Sequence, residues 1–345
     1  MSLDTYRLLG RSGLRVSPLA LGTATFGNEW GWGSAPDDAR RLFETYVERG
    51  GNFIDTAASY GGSEELLGEL VRDRRDRLVL TTKYSTLRTP GDPNSGGAHR
   101  KSLFASVENS LRRLGTDRVD LLYVHVWDAL TPGEEVLRGL DDLVRQGKVL
   151  HVGMSNAPAW EISRLQAVAD LRGWSPLVAL QVEYSLINRD AERDLLPMAR
   201  ALGLGVSPYS PLGGGVLSGK YSSADLTPAE GTGRKSFNAG LGMVTPATLA
   251  IADVVREVAL ELGRTPAQVA LAWNLRRPGV TAPVIGARTP EQLEGNLAAL
   301  EVDLGDEQVA RLDDAGAIDL GYPHDLLASD HIRAVTAGDL KIESR

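Results

Sequence analysis

Residues Val119–Asn156 read VDLLYVHVWDALTPGEEVLRGLDDLVRQGKVLHVGMSN. An apolar run, Val119–His125, precedes a segment from Gly133 to Gln146 in which Val136, Leu137, Leu140 and Leu143 recur at helical spacing. Gly147 stands where a left-handed residue ends a helix, and a second apolar run, Val149–Met154, starts two positions later. Strand, helix and strand in such close succession make a βαβ unit, whose two strands lie parallel.

The same rhythm continues in both directions. Upstream runs at Leu19–Gly22, Phe53–Thr56 and Leu78–Lys83, and downstream runs at Val178–Glu183, Gly205–Tyr209 and Ala282–Ile285, complete eight expected strands. Helical patterns separate them at Pro36–Arg49, Glu64–Asp73, Arg100–Leu114, Trp160–Asp170, Ala191–Ala201, Thr248–Leu262 and Pro290–Leu300. Thr265-Pro266 and Thr289-Pro290 have the form of an N-cap followed by a first-turn proline, and Gly50 and Gly115 suit helix C-termini. Eight βα units favour an α/β fold closed as a (β/α)8 TIM barrel over an open doubly wound sheet. A short β-hairpin is expected around Gly10 to Gly13. The chain is expected to be a single domain over residues 1–345, with a barrel core at about 17–300 and a C-terminal helix and tail at about 301–345. Two stretches rich in Gly, Ser, Thr, Pro and Asn, Thr86–His99 and Gly213–Thr245, break the alternation, and the tail after Gly316 shows no pattern. Long loops in compact folds usually carry function.

Composition removes several function classes. A net charge of −8 without a long single-sign block repels phosphate backbones, so nucleic acid is not an expected partner. The absence of cysteine excludes thiolate catalysis, disulfides and cysteine metal sites. The five histidines lack paired ligand spacing, and no metal is expected. Neither a signal-like start nor an apolar stretch of membrane-spanning length is present, which makes a cytoplasmic protein with no membrane partner the expectation.

In a barrel of this kind chemistry gathers at the C-terminal ends of the strands. Strand two ends in Asp55 with Tyr60 in the loop beyond, strand three in Lys83, strand four in His125, strand five in Ser155 and Asn156; strand six offers Gln181, strand seven Tyr209 and Ser210. Singly, each has a plain structural reading: a solvated lysine, a satisfied core histidine, a turn aromatic. Together they put an acid, a phenol, an ammonium and an imidazole on one rim, a combination costly to desolvate and unnecessary for stability.

The segments GGNFIDTAASYGGSEELLG, TTKY, YVHVWD, GMSN, QVEYSLINR, SPYSPLGGGVLSGKY and VIGARTPEQLEGN resemble, in order, the motifs of the aldo-keto reductase family. The resemblance implies an oxidoreductase that passes a hydride between NADP(H), in preference to NAD, and a small-molecule carbonyl or alcohol. It implies Tyr60 as general acid and base, Lys83 and Asp55 as the pair that tunes it, and His125 as the group that positions the substrate oxygen. A nearby ammonium is expected to favour the Tyr60 phenolate and draw its proton transfer toward neutral pH. The family comparison further implies that Ser155, Asn156 and Gln181 hold the carboxamide of the cofactor and that Tyr209 stacks on its ring. Gly22 and Thr23 are assigned to the same site. The pyrophosphate is expected along Ser210, Pro211, Leu212 and Gly214, with Lys220 adding charge, and the adenosine end at Gly286, Arg288, Gln292 and Asn296. Many relatives carry further basic residues where this chain has Arg288 largely alone. For the substrate, Trp30, Trp32 and Trp127 are candidate walls.

Other readings are weaker. Gly153-Met154-Ser155-Asn156-Ala157 approximates a hydrolase nucleophile elbow but lacks its last glycine. GGVLSGKY imitates a phosphate loop with Tyr221 in place of the magnesium-binding hydroxyl. The alternative from another class is a cofactor-bearing regulatory or ancillary subunit, because relatives with the same barrel include channel β-subunits.

Overall fold

Arg7–Leu8 (β1) and Arg15–Val16 (β2) pair antiparallel as a hairpin beneath the main sheet. The computed structural model describes residues 1–27, 33–226, 235, 238, 240–338 and 340–341; Trp30 and Trp32 lie outside the described residues. The eight further strands are Ala20–Gly22 (β3), Phe53–Asp55 (β4), Val79–Tyr84 (β5), Val119–Val124 (β6), Val149–Ser155 (β7), Leu177–Gln181 (β8), Gly205–Val206 (β9) and Val284–Ile285 (β10). They are parallel throughout, in the order β10-β3-β4-β5-β6-β7-β8-β9. The ring closes where Thr281 N donates to Val206 O at 2.7 Å and Val284 N to Pro208 O at 2.8 Å. The (β/α)8 barrel is therefore as expected, with each strand within a few residues of its sequence assignment.

The connections are helical: Pro36–Glu48 (α1), Ser63–Val71 (α2), Arg100–Leu114 (α3), Gly133–Arg145 (α4), Ala159–Arg172 (α5), Leu195–Leu202 (α6), Pro246–Glu261 (α7), Pro266–Leu275 (α8) and Pro290–Leu297 (α9). Their ends follow from local chemistry. Thr265 Oγ1 accepts the Gln268 amide proton while the Gln268 side chain accepts that of Thr265, a reciprocal cap that starts α8. Gly115 ends α3 at φ 60°. The expected helix Ala191–Ala201 is instead a 3-10 turn, Asp190–Glu192, followed by α6. Pro197 explains this: it has no amide proton and is tolerated only in a first turn, so the helix restarts just before it. The tail also folds, as Asp306–Ala315 (α10), His324–Ala328 (α11) and Asp330–Ala337 (α12). No helix among the described residues is long and apolar enough to cross a membrane.

Two cores result from the strand pleat. Successive residues face opposite sides, so Phe53, Val79, Leu121 and Tyr123 fill the barrel while Ile54, Leu80 and Leu122 meet the helix layer. Leu9 and Val16 of the hairpin join the inner core and close the lower end. Gly10 makes this close approach feasible: at φ 55° a Cβ there would fall on Val178 O and Gly205 N. With the bottom sealed, the open end is the upper one, where the strands terminate.

Candidate active site

Inward-facing polar residues top the packed interior. Gly22 pairs with Asp55 and Asp55 with Thr81 in register, and Lys83 lies one inward step further along β5, beside Tyr123 of β6. Lys83 is 1% exposed. Its Nζ donates to Asp55 Oδ2 at 2.7 Å, to Thr56 O at 2.9 Å and to the Tyr60 hydroxyl at 3.4 Å. The other carboxylate oxygen of Asp55 accepts Gln181 Nε2 at 2.8 Å and Thr81 Oγ1 at 3.1 Å. Both charges are thus paired and multiply hydrogen-bonded, the condition under which a buried ion pair is tolerated.

Burial and the electrostatics of this pair act together on the titrating groups. Burial works against the Lys83 ammonium, yet Asp55 and Tyr60 outweigh it and hold Lys83 above its ordinary value. Burial pushes the Tyr60 phenol up, and the opposing pull of Lys83 does not overcome it. The expectation that the ammonium would bring the phenol toward neutral pH is therefore corrected: in this site desolvation outweighs the cation, and Tyr60 stays protonated. Burial, then Lys83, pushes His125 down to about 4, so its imidazole is neutral. The ring meets Tyr60 edge-on, with centroids 5.9 Å apart and planes at 81°. Among the described residues His125 Nδ1 has no hydrogen-bond partner, so the ring is oriented by packing.

From Tyr60 and His125 a cleft of about 810 Å³ runs across the barrel mouth to Arg288, Gln292 and Asn296. Gly22, Ser155, Asn156, Gln181 and Tyr209 line its middle, and Ser210, Pro211, Leu212, Gly214 and Lys220 one side. Asn156 Nδ2 donates to His125 O at 2.9 Å and Ser155 Oγ at 3.0 Å, while its Oδ1 accepts the Tyr209 hydroxyl at 2.9 Å. Asn156 and Ser210 sit at φ 48° and 49°, in the left-handed region that asparagine tolerates comparatively well and serine seldom adopts. The glycine loop that follows β9 turns with Gly214 at φ 62° and Gly215 at φ 97°. Asn238, fully buried, clamps it by donating to Gly214 O and the Tyr221 hydroxyl, both at 2.8 Å. At the far end Arg288 N donates to Gln292 Oε1 at 3.0 Å and Asn296 Nδ2 to Gly286 O at 3.3 Å, which fixes α9 against the turn after β10.

Two assigned residues lie elsewhere. Thr23 is fully buried and directs its hydroxyl to Asp55 O at 3.0 Å, while Ser63 Oγ donates back to it at 2.7 Å; Ala24 and Thr25 face the cleft instead. Trp127 packs half-buried against the helix-layer core rather than along the cleft. Conversely, Thr25, Ser59 and Thr265 line the cleft without having been assigned to it, although Ser59 falls within the family-like segment that carries Tyr60 and Thr265 reads in the sequence only as a helix cap.

Comparison with known proteins agrees with this geometry. Residues 18–317 match the profile of the aldo/keto reductase family. The chain is 41% identical over 324 residues to the norsolorinic acid reductase stcV of Emericella nidulans, covering 90% of this chain and 81% of that protein. It is 38% identical over 337 residues to an aryl-alcohol dehydrogenase of Pestalotiopsis microspora, covering 94% and 85%. It is 36% identical over 343 residues to a putative aryl-alcohol dehydrogenase of Saccharomyces cerevisiae, covering 95% and 91%. The barrel, its ordered rim and these matches together place the chain in the aldo/keto reductase family.

Proposed function

We propose that the protein is an NADP(H)-dependent reductase of aldehydes or ketones in which Tyr60 is the general acid and base. The observation that carries this reading is the buried Asp55–Lys83–Tyr60 chain, linked at 2.7 and 3.4 Å, which ends in a cleft beside a neutral imidazole. The cleft suits a dinucleotide: a glycine turn allows close backbone approach at its side, and an arginine waits at its far end. Among the described residues no carboxylate lies within ion-pair distance of Arg288, and Asp55 is the only acid lining the cleft. An uncompensated guanidinium favours the extra phosphate of NADP, whereas the ribose hydroxyls of NAD favour a carboxylate.

When bound, the cofactor supplies the hydride. Asn156, Ser155 and Gln181 would hold its carboxamide, Tyr209 would support its ring, and Ser210 to Gly214 with Lys220 would hold its pyrophosphate. The neutral His125 imidazole donates a hydrogen bond to the carbonyl oxygen and holds it beside the Tyr60 hydroxyl. Tyr60 gives that oxygen its proton, and the phenolate left behind is stabilised by Lys83, which Asp55 keeps charged and in place. Run backward, the same groups oxidise an alcohol.

The relatives named for norsolorinic acid and aryl alcohols point to an aromatic carbonyl as the substrate class, and the cytoplasm, which holds NADPH, is where we place the reaction. NADPH consumption with matched aromatic and aliphatic aldehydes and ketones tests this. A higher kcat/KM for the aromatic set supports the assignment, and a preference for aliphatic carbonyls overturns it.

A further inference from the structure

Glu64 is a carboxylate buried behind the rim, 1% exposed, and no step above uses it. It stands in the first turn of α2, four residues after Tyr60. Its Oε1 accepts the Thr82 hydroxyl at 2.6 Å. Its Oε2 accepts Arg113 Nε at 2.7 Å, with Nη2 of the same guanidinium completing the fork. Thr82 directly precedes Lys83 in β5, and neighbouring strand residues face opposite sides, so Thr82 points outward as Lys83 points into the barrel. One carboxylate thereby joins the helix that follows Tyr60 to the strand that carries Lys83. On the other flank of the same loop, the Ser63 hydroxyl lies 3.1 Å from Thr56 Oγ1 and donates to Thr23 Oγ1 at 2.7 Å.

Only the carboxylate of this pair is buried, Arg113 being partly exposed, and burying one charge is a poor device for stability alone, since apolar residues often replace buried ionic groups at no loss. It is a good device for fixing geometry, because the charge-assisted bonds are short and directional. Geometry matters acutely here: the Lys83–Tyr60 contact, at 3.4 Å, is longer than the usual hydrogen bond, so a small displacement of the tyrosine loop decides whether it exists.

We propose that Glu64 is a positioning residue for Tyr60, holding the phenol within reach of Lys83 by tying the start of α2 to Thr82 and Arg113. The proposal rests on the reading of Tyr60 as proton donor, so its first test is independent of turnover. Thr82→Val keeps the side-chain shape and removes the hydroxyl that links β5 to Glu64, and Thr82→Ser retains it. In the nucleotide-free protein, Tyr60 ionisation is the part of the near-ultraviolet phenolate absorbance that Tyr60→Phe removes. Thr82→Val is expected to move it upward by about half a pH unit or more, because a phenol further from Lys83 loses the cation that favours its charged form. Thr82→Ser is expected to titrate like wild type. Glu64→Gln, which weakens the Arg113 link, is expected to shift in the same direction. In turnover, Thr82→Val lowers kcat about fivefold with NADPH affinity, read by fluorescence quenching, within about twofold of wild type. Coincident titrations of Thr82→Val and wild type overturn the proposal, as does a shift that Thr82→Ser fails to reverse. A shift with reversal in a protein that shows no wild-type turnover supports the positioning role and sinks the reductase reading instead.

Discussion

Lys83 approaches Tyr60 at 3.4 Å while Asp55 holds it at 2.7 Å, so a single ammonium, inaccessible to solvent, serves both oxygens. Its position depends on the acid more than on the phenol.

That ordering has a measurable consequence for stability. Asp55→Asn leaves the Lys83 cation buried without its charge partner and is expected to destabilise the fold by about 3 kcal/mol. Lys83→Met leaves Asp55 with Thr81 and Gln181 alone and is expected to cost a similar amount. The double variant is expected to cost less than the sum, because each substitution removes the reason for the other group's penalty. Urea denaturation of the four proteins checks this; strict additivity contradicts it.

His125 makes a pH prediction. Its imidazole is pushed down to about 4 by burial and by Lys83, against about 6.5 in an unfolded chain. The unfolded state therefore takes up a proton first as pH falls. This residue's contribution makes the fold less stable from about pH 6.5 down to about 4 and is flat above that window. Ring-proton chemical shifts assigned with His125→Gln are expected to show no titration between about pH 5 and 8. A midpoint near 6.5 contradicts the buried, neutral assignment.

The proposed phosphate-binding role of Arg288 makes a prediction about cofactor choice. Removing a charge-assisted contact to a phosphate typically costs about 1.5 to 3 kcal/mol, so Arg288→Ala is expected to weaken NADPH binding by about tenfold to a hundredfold. NADH binding, lacking that phosphate, is expected to change by less than about threefold. Fluorescence titrations with both nucleotides test this, and equal losses would remove Arg288 from the phosphate site.

The barrel was legible because each strand is a short apolar run and every connecting helix but one shows a helical repeat of apolar residues. Helix α8 escaped that reading, although its Thr265-Pro266 start was plain. Val269, Ala270, Leu271, Ala272 and Trp273 are all buried, so the segment has no polar face to reveal its period. The polar rim was legible as residue types at strand ends, and the Asp55, Tyr60, Lys83 and His125 side chains do converge. The direction of the Tyr60 shift was not, because it depends on how deeply the phenol is packed, and sequence gives neighbours along the chain but not depth. The burial of Thr23 was hidden for a related reason: its hydroxyl turns to Asp55 O of β4 and to Ser63 of α2, contacts that no local pattern records. Glu64 was visible only as an acid at a helix start. Its bond to Thr82 appears once β5 and α2 are packed.

Proton delivery by Tyr60 is read out by NADPH consumption of wild type and Tyr60→Phe with one reactive aromatic aldehyde, alongside NADPH affinity by fluorescence. The variant is expected to lose kcat about a hundredfold or more, with nucleotide affinity within about twofold of wild type. Undiminished turnover in Tyr60→Phe would contradict that role and assign the proton to another donor. A wild-type protein that binds NADPH but reduces nothing would contradict it as well, and would leave the barrel as a cofactor-bearing ancillary subunit.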